Sequence, residues 1–395
     1  MNLLTSNPDL QSLSIAQDSP GLSDQFYHTL GDKCHNLTEL CLYSVVLNDT
    51  RLDIIGNTCK LLQGVRFADD WGGAPNAISR FTTDGIVRLA KSCKHLETVI
   101  FSSKCLTPTS LIPFVRYCRH LKKLSSETPG VLSPMLVDAL VEADTHLLEL
   151  GGIWKAERSQ SYANWGRAFA SLQKLFLPFS GSLPSGSALA HVAHSFGALE
   201  TLVLQVDTLP LDLLWALARG TRNLKLLLLN SSHLCNCRVE LAAVIRSNPS
   251  LENLYLRGQL SISDCAVFAL STCKNLSQFS ASITNIVSGI ELSDASVIEL
   301  AEQCPNLTDL DGVQCASLTD ASVYALARCC PKLRMLTLDK CFLVTEAALS
   351  EIMLRCTSLI KLHVCARTIS ADAVRRLHSI QKRFSEEECF ILRVE

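Results

Sequence analysis

Apolar positions recur along this chain in one figure, L-x-x-L-x-L, with Cys, Asn or Phe often three residues before the first leucine. Clear copies read CHNLTELCL, CKLLQGVRF, CKHLETVIF, FASLQKLFL, FGALETLVL, TRNLKLLLL, NPSLENLYL, CPKLRMLTL and CTSLIKLHV. Weaker copies are NPDLQSLSI, CRHLKKLSS, DTHLLELGG, CKNLSQFSA and CPNLTDLDG. The anchors are Leu10, Leu37, Leu62, Leu96, Leu121, Leu147, Leu172, Leu199, Leu224, Leu251, Leu276, Leu307, Leu333 and Leu359. Most gaps between them are 25 to 27 residues; two are longer, at 34 and 31. A period this regular predicts a stacked array, because one such unit cannot bury its apolar face alone.

Each unit has two halves. The L-x-x-L-x-L half alternates, the period of a short half-buried strand. The rest has helical spacing, as in LTDASVYALARCC, where Val323, Leu326 and Ala327 share a face and Thr319 and Asp320 suit an N-cap and first turn. ISDCAVFALSTC, LSDASVIELAEQC and VTEAALSEIMLRC repeat the form. Strand plus helix at this period predicts an α/β leucine-rich-repeat solenoid of about 14 repeats. Its parallel sheet would line a concave face and its helices a convex face, in a right-handed horseshoe. We expect one domain over residues 1–385 and a capping tail over 386–395.

Eight of the 18 cysteines hold one address, three residues before an anchor: Cys34, Cys59, Cys93, Cys118, Cys273, Cys304, Cys330 and Cys356. Cys315 and Cys341 recur three residues after a strand. A repeated address inside a core turn predicts packing, with Cys acting as a small hydrophobe.

A cysteine before the strand, another after it, and a helix opening on Leu/Ile-Thr/Ser-Asp resemble the cysteine-containing leucine-rich repeats of F-box/leucine-rich-repeat proteins. CPKLRMLTLDKCFLVTEAAL and CPNLTDLDGVQCASLTDASVYALA carry the resemblance. It implies a solenoid that holds a protein substrate, and an F-box that docks a Skp-type adaptor of a cullin ubiquitin ligase. An F-box is a helix bundle of about 40 residues in that family, and nine residues precede Leu10, so we expect no F-box in this sequence. The function expected is substrate recognition for such a ligase in ubiquitin-dependent catabolism, with a ligase-independent scaffold or regulator as the alternative. At the C-terminus, ADAVRRLHSIQKRFSEEE is expected to form a charged capping helix and CFILRVE a closing strand. At the N-terminus, Leu10 to Ile15 would form an open edge that an upstream segment or a partner covers.

The outward strand positions map the expected binding face. They read Lys174, Phe176, Pro178; Thr201, Val203, Gln205; Leu226, Leu228, Asn230; and Asn253, Tyr255, Arg257. Phe176, Val203, Leu226, Leu228 and Tyr255 form a candidate apolar stripe beside Arg257, extended upstream by Ile153. The register of the LLLL run leaves this open by one residue. Asp309, Asp311 and Asp339 follow, before Lys361 and His363, and would favour a basic segment on a partner. The two long gaps hold insertions at residues 68–81 and 283–293, and Trp71 is a candidate loop contact. Trp154 and Trp165 are expected to pack.

Composition narrows the classes. Hydrophobic residues are 48% and charged residues 19%, with mean hydropathy +0.22, which excludes a disordered chain. Net charge is −2, so no broad positive field exists, and nucleic acid and membrane are not expected partners. The N-terminus lacks a secretory signal pattern, and the expected location is the cytoplasm, with the nucleus as alternative. No phosphate-binding, zinc-protease or nucleophile-elbow motif occurs, and neither enzyme activity nor a cofactor is expected. His191 and His194 read as helix surface; His233, Cys235 and Cys237 hold ligand-type residues on an expected strand-to-helix turn, without zinc-knuckle spacing.

Overall fold

The computed structural model describes the chain apart from residues 1–3, 5, 6, 17–21, 70–78, 129, 154–164, 179–187, 261, 284–289, 312–315, 339, 365–374, 376–390 and 395. It divides into two compact units, Met1–Gly181 and Ser182–Glu395.

In the first unit, seven parallel strands follow one another in sequence order: β1 (Ser12–Ala16), β2 (Glu39–Tyr43), β3 (Gly64–Ala68), β4 (Thr98–Ser102), β5 (Lys123–Ser126), β6 (Glu149–Gly152) and β7 (Lys174–Pro178). Between them lie α1 (Asp24–Lys33), α2 (Asp49–Thr58), α3 (Thr83–Ser92), α4 (Ile112–Tyr117), α5 (Pro134–Glu142) and α6 (Trp165–Phe169). Strand-to-strand connections through a helix force parallel pairing, and each repeat adds one strand to the edge.

The second unit continues the scheme. It contains α7 (Ala188–Val192), β8 (Thr201–Val206), α8 (Leu211–Gly220), β9 (Leu226–Cys235), α9 (Arg238–Arg246), β10 (Asn253–Leu260), β11 (Ile262–Ser263), α10 (Asp264–Leu270), β12 (Gln278–Ile283), β13 (Ile290–Glu291), α11 (Asp294–Gln303), β14 (Asp309–Asp311), α12 (Asp320–Cys329), β15 (Met335–Leu338), α13 (Glu346–Arg355), β16 (Lys361–Val364) and β17 (Ile391–Val394). Strands β8, β9, β10, β12, β14, β15, β16 and β17 pair in that order, all parallel, while β11 and β13 make a separate two-stranded ladder. The chain is a leucine-rich-repeat solenoid, as the period predicts.

The core is the anchor column. From Leu37 to Leu359 every anchor is 2% exposed or less, and only Leu10, beside the edge strand β1, is half-buried. The eight turn cysteines are equally buried and form a hydrogen-bonded ladder. Cys118 Sγ donates to Cys93 O at 3.6 Å, Cys304 to Cys273 O at 3.4 Å, and Cys356 to Cys330 O at 3.4 Å. Each thiol thus fills a small core site, and all but Cys34 and Cys59 donate to a carbonyl of the preceding repeat, which is the packing role expected. Where the column lacks cysteine, Asn248 substitutes. Its Nδ2 donates to Thr221 Oγ1 and Val244 O, both at 2.8 Å, and its Oδ1 accepts from Leu224 N at 3.1 Å.

Strand β17 closes the second unit by pairing with β16, while the charged segment before it, Arg375 apart, lies outside the described residues. Strand β1 pairs with β2, and among the described residues no strand pairs with its outer edge. Trp165 is 1% exposed and its Nε1 donates to Asp138 Oδ1 at 2.8 Å; Trp154 lies outside the described residues.

Candidate functional site

Alternation within each strand sends one set of side chains under the helices and leaves the other on the open sheet face. The register of the LLLL run is resolved. Leu227 and Leu229 are at most 1% exposed, so Leu226 and Leu228 stand on the open face, half-buried. Parallel pairing then places Val203, Leu228 and Tyr255 side by side on β8, β9 and β10. The neighbouring row is Thr201, Leu226 and Asn253, and the row beyond is Gln205, Asn230 and Arg257. At about 4.8 Å between strands, the three apolar groups of the middle row stand within reach of one another along the sheet.

Tyr255 is the hinge of this patch. Burial raises its phenol pKa, the Asp309 charge raises it further, and Arg257 pulls it down. Its hydroxyl donates to Gln278 Oε1 on β12. Beyond Arg257 the strand leaves regular register at Gly258, whose φ of +82° sets its backbone against Ser231 O, so a Cβ there would collide with that carbonyl. The residues around that irregularity continue the long strands β9 and β10, which extend past the length of their neighbours.

The acidic residues follow two strands away. Asp309 and Asp311 on β14 pair with Gln278 and Ser280 of β12. Asp311 Oδ1 accepts from Thr337 Oγ1 at 2.6 Å and its Oδ2 from Ser280 Oγ at 3.4 Å, while Asp309 Oδ2 accepts from Thr308 Oγ1 at 2.6 Å. Among the described residues neither carboxylate has an ion-pair partner. Lys361 and His363 stand two further strands along, on β16.

Phe176 belongs to the first unit, half-buried on β7 opposite Gly151, and Ile153 lies one residue past β6. Trp71 and Asp339 lie outside the described residues, as does most of the first insertion. Asp69, at the start of that insertion, is 6% exposed and accepts from Ser79 Oγ at 2.5 Å, from Lys104 N at 3.3 Å and from Ser103 Oγ. It is a buried hub that ties the insertion to the next repeat.

The His233–Cys237 segment is not a turn as expected. His233 and Cys235 prolong β9, and Cys237 caps α9. His233 Nδ1 sits 2.8 Å from Asp207 O, and Cys235 Sγ donates to Leu209 O at 3.4 Å. A hydrogen bond from Cys237 lowers the Cys235 thiol pKa and raises that of Cys237. Among the described residues no three His, Cys, Asp or Glu side chains could hold a metal ion. His191 and His194 are exposed, as read. No described helix is long and apolar enough to cross a membrane.

Sequence reasoning missed one set of polar contacts. In four repeats the Asp in the helix's first turn bonds the N-cap of the next repeat's helix. Asp264 accepts from Ser293 N at 2.8 Å and Ser293 Oγ at 2.7 Å, Asp294 from Thr319 N at 2.9 Å and Oγ1 at 2.6 Å, and Asp320 from Thr345 N at 2.6 Å and Oγ1 at 2.7 Å. Asp49 holds Thr82 the same way, at 2.7 and 2.8 Å. The hydroxyls of Thr82, Ser293 and Thr345 accept no bond from their own helices, whereas Thr319 Oγ1, which also donates to Asp294, accepts from Ala321 N at 3.2 Å. The signal was the repeated Thr/Ser-Asp pair at one repeat's spacing.

No family model and no curated protein matches the chain. Solved structures do. An internalin from Listeria monocytogenes is 13% identical, covering 96% of this chain and 86% of its own, at TM-score 0.48. A yeast Rad7 and Elc1 complex is 18% identical, covering 94% and 88%, at TM-score 0.47. A mouse RP105/MD-1 complex is 14% identical, covering 98% and 75%, at TM-score 0.46. These likenesses concern architecture alone.

Proposed function

We propose that this chain is a protein-binding solenoid whose open sheet face, on β8 to β14 of the second unit, receives a segment of another polypeptide. The observation that carries the reading is the row Val203–Leu228–Tyr255, apolar where a solvated sheet face is ordinarily polar. An aromatic, an Arg and aliphatic groups packed in one patch have the make-up of an interface centre. Asp309 and Asp311, with hydroxyl partners but no ion pair among the described residues, favour a basic residue on the bound segment. The finer reading is substrate recognition for a cullin-type ubiquitin ligase through a Skp-type adaptor, resting on the resemblance of the cysteine-bearing repeats. A ligase-independent scaffold in the cytoplasm or nucleus is the second reading.

The test is proximity labelling with the full chain, followed by capture with the variants Leu228→Asp and Tyr255→Asp. Both side chains are half-buried on an open face, so the variants should fold and lose the partner. A partner retained by both variants overturns the assignment of this face. Recovery of adaptor and cullin with the parent chain supports the ligase reading, and their absence supports the scaffold.

A further inference from the structure

A second surface lies in the first unit, away from the sheet face, on the turns that join helix C-termini to strands. In four successive repeats the second residue before the anchor is a base: His35, Lys60, Lys94 and Arg119. Each sits at the tip of a tight turn, closed by Leu37 N to Cys34 O at 3.3 Å, Leu62 N to Cys59 O at 3.4 Å, Leu96 N to Cys93 O at 3.4 Å and Leu121 N to Cys118 O at 3.2 Å. All four bases are exposed. Residues 57–62, 91–96 and 116–122 together carry six Lys or Arg and no Asp or Glu. Two of the six are paired, Lys122 with Glu97 at 2.7 Å and Arg116 with Glu142 at 3.8 Å. Lys60, Lys91, Lys94 and Arg119 have no carboxylate partner among the described residues, and of the four the Lys60 ammonium donates to a backbone carbonyl, Gly56 O at 2.8 Å.

Flat rings lie among these charges. His95 and His120, at the same address in adjacent repeats, are parallel within 9° at 6.4 Å between centroids. Lys91 Nζ lies 5.3 Å from the centroid of the Tyr117 ring, which is itself 39% exposed. Helix dipoles account for a cation in a last turn, as at Lys91 and Arg116. Lys60, one residue past the C-cap Cys59, serves its helix end in the same way through its bond to Gly56 O, whereas Lys94 and Arg119 make no such bond among the described residues. Nor does the turn require a base, since the second unit builds it with Pro305 and Asn306; where that unit carries a base at this address, Arg222 and Lys274 donate to Ala218 O at 2.9 Å and Ser271 O at 3.1 Å of their own helix ends.

We propose that this turn edge binds a single-stranded nucleic acid, with Lys60, Lys91, Lys94 and Arg119 on its phosphates and Tyr117, His95 and His120 as ring platforms for its bases. Cations repeated at one step with aromatic faces between them are the means by which proteins hold such strands without reading sequence. An acidic peptide would use the cations and leave the rings idle. A duplex, with its bases stacked inside, would also leave them idle. The net charge of −2 describes the chain as a whole and is blind to this one-sided edge. The inference is independent of the sheet-face reading.

The test is fluorescence anisotropy of the full chain with fluorescein-labelled oligouridine and oligodeoxythymidine, an equal-length duplex, and polyglutamate as competitor. Saturable binding of a single strand is expected, with affinity falling as salt rises. The variant Lys94→Ala with Arg119→Ala should weaken it roughly tenfold or more and flatten the log–log salt slope by about 1.4. Tyr117→Ala should weaken it about fivefold or more at unchanged slope. Lys274→Ala with Lys332→Ala, the same turns in the second unit, should change nothing. An unchanged melting curve separates lost contacts from lost fold, and Lys60→Ala repeats the test in another repeat. No saturable binding by the parent chain, full displacement by polyglutamate, preference for the duplex, or an unaffected double variant would each overturn the proposal.

Discussion

Asp294 and Thr319, the first-turn acid of one helix and the N-cap of the next, are joined twice: Oδ1 accepts from the Thr319 amide at 2.9 Å and Oδ2 from its hydroxyl at 2.6 Å. Ser322 Oγ adds a third donor to the same carboxylate. The pair recurs as Asp264–Ser293 and Asp320–Thr345, so the helix starts of four consecutive repeats are linked in series. A residue that reads locally as a helix cap therefore also acts as a clamp between repeats.

Replacing Asp294 with Ala should destabilise the chain by about 1–2 kcal/mol, because the Thr319 amide loses its acceptor and the helix start loses its tie. Thermal unfolding read by circular dichroism checks it. Asp294→Asn, which keeps one acceptor, should lose less. Equal losses for the two variants would show that the paired oxygens do not matter.

Acid should act through the same clamps. Burial pushes the Asp264 carboxyl up, but hydrogen bonds from the Ser296 hydroxyl and from the Ser293 amide and hydroxyl outweigh it and hold its pKa below the ordinary value. Asp294 is likewise lowered against burial by Ser322 and Thr319. A pKa depressed on folding adds stability above the unfolded value near ~3.9, and that stability is lost as pH falls through the folded value. The melting temperature should therefore drop on acidification below about pH 4. The double variant Asp264→Asn, Asp294→Asn should show a shallower drop, and a parallel one would refute the linkage.

The cysteine ladder should be chemically silent. Burial pushes Cys93, Cys118, Cys304 and Cys330 up to about 12, where almost no thiolate exists near neutrality. Among the described cysteines Cys265 is the exposed one. Brief alkylation of the folded chain, mapped by mass spectrometry, should mark Cys265 and leave those four untouched until denaturant is added. Early labelling of Cys330 would mean that its turn opens readily.

Asn248 should be among the most sensitive polar positions. Its three bonds tie a buried amide and a buried hydroxyl of the preceding repeat's turn to Val244 O in its own repeat. Asn248→Ala strands the Leu224 amide and should cost about 2–4 kcal/mol, readable as a lower denaturant midpoint. A loss under about 0.5 kcal/mol would mean that water replaces the side chain without penalty.

The fold was legible because every repeat solves the same burial problem. A leucine address repeated at one period specifies strand, turn and helix together, and the cysteine address specifies the turn's interior. The sequence by itself determined the period, the alternation that puts Val203 and Tyr255 outward, and the packing of Trp165. Only the tertiary structure decided the rest. It chose the phase of the LLLL run, since alternation alone permits either face and register with β8 and β10 permits one. It also carried the Asp294 carboxylate to the next repeat and gathered Lys60, Lys94 and Arg119 on one edge, because stacking turns a distance of one repeat in sequence into adjacency in space.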